Sequence, residues 1–219
     1  GVFNRGNALT MANVTISNNQ ATYHGGFANG SPLHANSQFG IAYLYHVTHS
    51  ENKDQVDAKS EIATLPAYNV YLSNSVIDGG CLGGKFYTYG GNIFGKVCDT
   101  QEEPNVDPFA DFQGTDGNVG VQGLTFNGGP ELDAGFYTQR LDGDSPAIDA
   151  ARDGIFGCLQ MDVNKRDARN AERNTQPPDK CDSGAYEQGS IPPKFKAEIV
   201  PGENKETVIG GGSGGAQGT

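Results

Sequence analysis

The chain has 219 residues and a formal net charge of -11, with 32 Gly, 11 Pro, 4 Cys and no Trp. This length fits one domain or two small ones. No stretch approaches the ~20 continuous apolar residues of a membrane helix, and no charged and apolar leader opens the chain. The acidic excess argues against nucleic acid and anionic lipid as partners, because clustered Lys and Arg bind both. Cations and neutral glycans stay open as ligands.

The composition predicts an all-β chain. Gly and Asn are abundant, and both residues favour turns over helix interiors. The apolar residues come in short alternating runs, which is typical of strands that bury one face.

The first strands are predicted in residues 8–18, where two alternating apolar pairs are separated by a single step at Asn13. That step indicates a bend in the chain. The same pattern returns at 41–50 and at 70–78. Three residues therefore occupy equivalent corners: Asn13, His46 and Asn74.

A second repeated motif supports this spacing. Gly-x-x-Asn stands at 1–4 and again at 26–29, which gives a period of roughly 25 to 33 residues. Short strands with polar corners at this period, without crossover helices, predict a right-handed parallel β-helix. The predicted strands are 9–11, 14–16, 43–48 and 70–77, paired in parallel, and the predicted inward column comprises Leu9, Met11, Val14, Ile16, Leu44, Val47, Leu72 and Val76.

An antiparallel sandwich is the competing interpretation, since it also produces short alternating strands. Two polar stretches, 30–40 and 50–68, are predicted to protrude from one side of the β-helix. Such loops either bind a ligand or are solvent-exposed surface loops without a binding role.

The four cysteines are interpreted as disulfides, because they form no C-x-x-C pair and lie far from the histidines. Local pairing, Cys81 with Cys98 and Cys158 with Cys181, is the simplest of three connectivities. Disulfides indicate an oxidising compartment outside the cytoplasm.

Two sets of segments carry a family resemblance. The first comprises 1–6, 9–18, 78–81 and 89–92 with Cys98, and the second comprises 141–150, 162–169 and 181–187. The first set resembles the coils of bacterial surface β-helix proteins, and the second resembles their C-terminal choice-of-anchor module of type Q. The resemblance implies an exported surface protein without a defined catalytic activity. Its C-terminal motif residues here are Ser145, Pro146, Asp149, Asp162, Arg169, Asp182, Tyr186 and Glu187.

Part of this motif carries its own structural explanation. Ser145 as N-cap, Pro146 at the first helical position and Asp149 in the first turn predict a short helical turn. A catalytic Ser-His-Asp triad that includes Ser145 is not expected, because Ser145 does not lie in a G-x-S-x-G motif. Tyr186 and Glu187 are predicted to pack a last strand, with Glu187 paired to Arg166 or Arg169.

No cofactor is predicted, and calcium is the one cation weighed. The segment starting at Asp162 begins like a calcium loop, but Arg166 and Asp167 stand where a further ligand and Gly would be expected. The sequence thus predicts no metal site, and any bound cation is expected in the coil region, because residues 1–161 carry 17 acidic and 7 basic side chains.

The organisation expected from the sequence is β-helix coils over 1–98, a loop-rich module over 99–190 that caps them, and an extended Pro/Gly-rich tail over 191–219. Gly1 begins inside a coil, so self-association or further coils of the same polypeptide are expected at that end. The Gly-rich tail is interpreted either as a spacer or, by resemblance, as the segment before a GlyGly-type sorting signal.

The predicted function is non-catalytic: a structural or adhesive β-helix outside the cell or at the cell surface, associated with the outer membrane. A fibre subunit or part of a longer stalk fits this role, with glycans as ligands. The alternative is a fragment of a β-helix polysaccharide lyase or glycoside hydrolase, for which no sequence signature is present.

Overall fold

The computed structural model describes residues 1–5, 7–30, 40–54, 60–102, 111–113, 119–127, 137–151, 157–158, 165–174 and 180–193. Within these ranges the chain is all-β: it forms strands, turns and irregular backbone, and no helix. Asp162, one of the predicted motif residues, lies outside the described residues.

The strands in chain order are β1 (Val2–Asn4), β2 (Leu9–Ala12), β3 (Thr15–Ser17), β4 (Gln20–Ala21), β5 (Phe27–Asn29), β6 (Ile41–Tyr45), β7 (Thr48–Ser50), β8 (Lys53–Asp54), β9 (Ser60–Ser73), β10 (Val76–Ile77), β11 (Gly80–Thr88), β12 (Ile93–Phe94), β13 (Thr100–Glu102), β14 (Phe112–Gln113), β15 (Thr125–Phe126) and β16 (Tyr137–Thr138).

Two parallel sheets contain most of these strands. Sheet A has the order β1-β5-β9-β11-β13. In the same sheet, β6 pairs with the second half of β9, and β2 pairs with β6. Sheet B has the order β14-β12-β10-β7-β3. Every pairing in both sheets is parallel, so the predicted parallel pairing is confirmed.

Successive stretches of the chain contribute one strand or more to each sheet. We call these stretches repeats 1 to 5, and they comprise residues 2–21, 27–54, 60–77, 80–94 and 100–113. Neighbouring repeats pair in register, for example Leu9 with Ala42 and Ala42 with Val70. The ladders thus continue beyond residue 98, through β13 and β14.

The first hydrophobic core lies between the two sheets. It contains Met11, Ile16, Leu44, Val47 and Leu72, as the alternation predicts, with Leu9 and Val14 partly buried against it. The prediction that Val76 also points into this core was wrong.

Val76 belongs to a second core, with Ile93, Val119, Leu141 and Tyr186. Its register partner is Thr48, one position further along the strand than Val47, and adjacent strand residues face opposite sides of a sheet. The second core therefore lies on the other side of sheet B, between that sheet and residues 119–193, which we call the C-terminal segment.

The prediction that 50–68 protrudes was wrong for its described residues. Lys53 pairs with Gln20 in a short parallel ladder, and residues 62–64 pair with 27–29 of repeat 2. Backbone pairing on both sides places the second part of this stretch inside sheet A rather than in a loop. Residues 31–39 and 55–59 lie outside the described residues.

Both locally paired disulfides are present. Cys81 is bonded to Cys98 at the edge of the first core, and Cys158 is bonded to Cys181, where both side chains are fully buried. In the C-terminal segment, β15 and β16 pair antiparallel, and most of the remaining described backbone is turns and irregular structure.

Candidate functional site

The predicted corners form one continuous column. Asn13, His46 and Asn74 have φ of 56°, 49° and 50°, and Gly91 continues the column with φ of 70°. The N–H of each of the three residues donates to the next repeat, where Tyr45, Ser73 and Gly90 offer carbonyl oxygens. We call Asn13, His46, Asn74 and Gly91 the corner column.

The C-terminal segment docks on this column. The Gly184 N–H donates to the Asn74 carbonyl at 2.7 Å, and the Ala185 N–H donates to Thr48 Oγ1 at 2.9 Å. Ser183 Oγ donates to the Gly91 carbonyl at 2.6 Å. A Cβ on Gly184 would lie 2.6 Å from Thr48 Oγ1, so this close approach requires glycine.

Arg173 links the corner column to the C-terminal segment. Its guanidinium donates to Glu187 Oε2 at 3.1 Å and to Asn13 Oδ1 at 2.8 Å. It also donates to the carbonyl oxygens of Asp182 and Gly184. The exposed fractions of the Arg173 and Glu187 side chains are 0% and 2%, so this ion pair is buried.

Burial raises the pKa of Glu187 to about 7; the nearby Asp182 adds to the shift, and Arg173 opposes it. Burial also raises the pKa of Asp182. His46 lies beneath the same network and is fully buried. Burial, assisted by Arg173, lowers the pKa of His46 well below its ordinary value, so the corner column contributes a neutral imidazole.

A second buried pair, Asp167 with Arg169, supports the same turn. Arg169 Nε donates to Asp167 Oδ2 at 2.7 Å, and its Nη2 donates to the Glu187 carbonyl at 2.8 Å. The guanidinium carbon of Arg169 lies 3.9 Å from the ring centre of Tyr186, a cation–π contact.

These contacts correct two expectations. Glu187 pairs with Arg173 rather than with Arg166 or Arg169, because Arg169 is neutralised by Asp167 and Arg166 pairs with Glu172 on the surface. Tyr186 is buried but lies in irregular backbone rather than in a last strand, since residues 183–185 use their polar groups to dock on the corner column.

The predicted helical turn at Ser145 is a series of tighter turns. Ser145 Oγ accepts from the Ala147 N–H at 3.2 Å, as a capping residue does, and Pro146 follows it. Asp149 has φ of 53°, which stops a helix from continuing. Its N–H donates to Asp182 Oδ1 at 2.9 Å, so Asp149 holds the docked segment instead of capping a helix.

The structure thus brings the predicted corners and most of the predicted motif together as an internal interface. Most of these side chains are buried and contact one another, which leaves no room for a ligand. Sequence reasoning missed Arg173 and Asp167. A charged residue in a stretch without apolar periodicity gives no signal of its partners.

A groove of about 650 Å³ is the larger of the two concave surfaces that we describe. Its floor is a row of register partners on the outer face of sheet A, contributed by repeats 1 to 4: Phe3, Ala28, Ala63 and Leu82. This face is outer because the alternate residues, among them Phe27 and Ile62, lie in the first core.

The groove has exposed apolar walls and few free polar groups. Phe3, Tyr23 and Leu82 are 56%, 63% and 40% exposed. Asn29 and Thr64 line it, but both are buried and hydrogen-bonded to neighbouring repeats. The described lining includes His24 and no Asp or Glu. This chemistry suits binding better than acid–base catalysis.

A tyrosine stack follows the same outer face beyond the groove. The rings of Tyr43, Tyr71 and Tyr87 are register partners, and neighbouring ring centres are 5.0 Å apart. Because Tyr71 stacks on both of its neighbours, the faces of its ring are not available to a ligand. The stack instead fixes the register of repeats 2 to 4.

One pair of carboxylates lies near a second corner. Glu51 has φ of 56° and lies close to Asp78. Burial, together with the Glu51 charge, raises the pKa of Asp78, and Lys96 opposes the shift. Ser17 and Gln139 donate to Glu51 Oε2 at 3.4 and 3.5 Å.

The described residues contain no group of three or more His, Cys, Asp or Glu side chains placed to hold a metal ion. Nor do they contain a helix long and apolar enough to cross a membrane. Comparisons with family models, with curated proteins and with solved structures each gave no match.

Proposed function

We propose that this protein is a non-catalytic, right-handed parallel β-helix that acts outside the cell as a structural and adhesive element. The observation that carries the proposal is the groove floor, where one apolar side chain from each of four successive repeats lines an outward-facing cleft. Such a row offers an extended ligand a continuous surface on a rigid scaffold.

The order of the ladders supports the β-helix proposal. Repeats 1 to 4 each leave sheet A, turn at the corner column and enter sheet B, and the next repeat pairs with each of them in parallel. Connections between parallel strands of one sheet are right-handed in nearly all proteins. Stacked repeats of this kind bury a shared core that none of them could bury alone.

The two disulfides support a location outside the cytoplasm, at the cell surface or in the extracellular space. Strands β1, β2, β3 and β4 each pair with one neighbour within the described chain. An open parallel edge attracts further strands, so we propose that coils of the same polypeptide or another copy cover it, as in a fibre or stalk.

The adhesive role is tested on a glycan array with the whole chain and with variants of the groove. F3A and Y23A should weaken binding to the glycans retained by the unmodified protein by about tenfold or more, because aromatic anchors dominate binding. F112A is the matched control, since Phe112 is 46% exposed and lies outside the groove lining. Equal binding by all four proteins would refute the groove as the adhesive surface.

The enzymatic alternative rests on Glu51 and Asp78. Glycoside hydrolases use two neighbouring carboxyl groups for acid and base, one of them with a raised pKa, and burial raises the pKa of Asp78. Release of new reducing ends or of unsaturated sugars from polysaccharides, abolished in D78N, would establish that alternative over the adhesive one.

A further inference from the structure

A second concave surface lies on the C-terminal segment and shares no lining residue with the groove. It has a volume of about 380 Å³ and is lined by Phe126, Asn127, Arg140, Arg169, Tyr186 and residues 189–192. This volume is at the low end of the range for small-molecule sites, which combine apolar walls with a few placed polar groups.

Arg140 is the exceptional side chain of this pocket. Within the part of the chain that the structure describes, its guanidinium forms neither a hydrogen bond nor an ion pair, whereas Arg166, Arg169 and Arg173 are each paired with a carboxylate. Its backbone is fixed, because the Gln122 N–H donates to its carbonyl at 2.7 Å. Arg169, the other guanidinium of the pocket, is neutralised by Asp167.

The apolar wall beside Arg140 is aromatic and accessible. Phe126 is 53% exposed, and its ring and that of Tyr137 are inclined by 65° with 6.3 Å between their centres. The exposed part of the Phe126 ring offers a flat apolar surface to a CH-rich ligand. Ser190 Oγ also lines the pocket and donates to the Glu172 carbonyl, which leaves its lone pairs free to accept from a hydroxyl group.

The charges of the lining favour an anion here. The described lining contains no Asp or Glu, and Arg169 is neutralised by Asp167. An anion in this pocket therefore meets one uncompensated guanidinium.

We propose that this pocket binds the carboxylate of an acidic sugar, with the Arg140 guanidinium holding both carboxylate oxygens and the sugar ring packed on Phe126. Planar guanidinium groups recognise carboxylates through two parallel hydrogen bonds. The aromatic wall favours a sugar acid over a peptide carboxylate, because the CH face of a pyranose ring matches a flat aromatic surface.

The test is calorimetric titration of the whole chain with oligogalacturonate and with its fully methyl-esterified form. The acid should bind and the ester should not. R140Q should bind the acid about 10- to 100-fold more weakly, since one charged hydrogen-bonding group is lost, and R140K should be intermediate. The matched control is R166Q, because Arg166 is an exposed arginine of the same segment outside the pocket.

Unchanged binding in R140Q, equal binding of acid and ester, or no binding of the acid would each overturn the proposal. Binding of an N-acetylated dipeptide carboxylate without binding of the sugar acid would overturn the sugar assignment. The groove variants F3A and Y23A should leave this titration unchanged, so failure of the groove proposal and failure of this one remain distinguishable.

Discussion

The stacked repeats and the C-terminal segment are stabilised in different ways. The repeats share parallel backbone ladders and one apolar core, so each contact type recurs from repeat to repeat. The C-terminal segment has one described two-stranded ladder, and it is held by single side chains, among them two buried ion pairs and a buried disulfide. Repetition distributes stability over many residues, whereas a docked irregular segment concentrates it in a few.

The largest effect is expected at Arg173. Replacing it with Met leaves the buried Glu187 carboxylate without its partner and removes the bond to Asn13, at a cost of about 3 to 5 kcal/mol in the free energy of unfolding. Denaturant unfolding measures the loss, and hydrogen exchange should show it first in residues 165–187. The double variant R173M/E187L should recover most of the stability. A loss spread evenly over the repeats would contradict a docked segment.

A core truncation probes the repeats in the same way. L72A removes a fully buried side chain of the first core, and we expect about 2 to 5 kcal/mol of lost stability. Hydrogen exchange should accelerate in the strands of sheets A and B together. L82A is the matched control, since Leu82 is 40% exposed, and its loss should stay below about 1 kcal/mol.

Two glycine substitutions separate the stability cost of losing the close contact from the cost of backbone strain. Gly184 and Gly189 both have positive φ, but a Cβ on Gly184 would meet Thr48 Oγ1 at 2.6 Å, and a Cβ on Gly189 would meet nothing within 4 Å. G189A should cost about 1 kcal/mol from strain alone. G184A should cost about 1 to 3 kcal/mol more, because it forces the segment off sheet B. Equal thermal shifts for the two variants would show that the contact is absent.

The effect that is smallest at neutral pH is a dependence on pH that originates in the first core. His49 is fully buried, and burial lowers its pKa to about 3. Its stabilising contribution is therefore complete above its unfolded pKa of about 6.5 and is lost as the pH falls from there toward 3, by up to about 1.4 kcal/mol per pH unit. H49L should remove this slope.

The titration of Glu187 changes the folding stability in the opposite direction. Its pKa is raised from 4.5 to about 7, so the folded state binds the extra proton and stability rises as the pH falls between those values. The difference between the unmodified protein and H49L isolates the histidine. Identical pH slopes for these two proteins would contradict a neutral, buried His49.

The sequence predicts the repeats well and the C-terminal segment poorly, for a physical reason. The step at Asn13 breaks a period of two, so the corner at that residue and its copies at His46 and Asn74 could be inferred. The place of Val76 depends on which residue follows the corner. There Ser75 takes the position of Val47, and its Oγ hydrogen-bonds to the neighbouring repeat, accepting from the Val47 N–H and donating to the Leu44 carbonyl. A one-residue shift moves a side chain to the other face.

The groove and the Arg173 network could not be inferred in the same way. The groove floor needs the register between Phe3 and Leu82, residues from repeats 1 and 4. Arg173 reaches Asn13 across 160 positions of the chain, and no local pattern encodes such a contact.

The most direct measurement of the central claim is a distance across the stacked repeats. Thr10 and Gln101 lie in one register row, separated by Tyr43, Tyr71 and Tyr87, so four strand spacings of about 4.8 Å place them about 19 Å apart. Both residues are exposed, and the four native cysteines are paired. Spin labels on T10C and Q101C should give one narrow distance distribution near this value, extended by a few ångströms for the label arms. A broad distribution, or one centred beyond about 35 Å, would contradict the parallel stack.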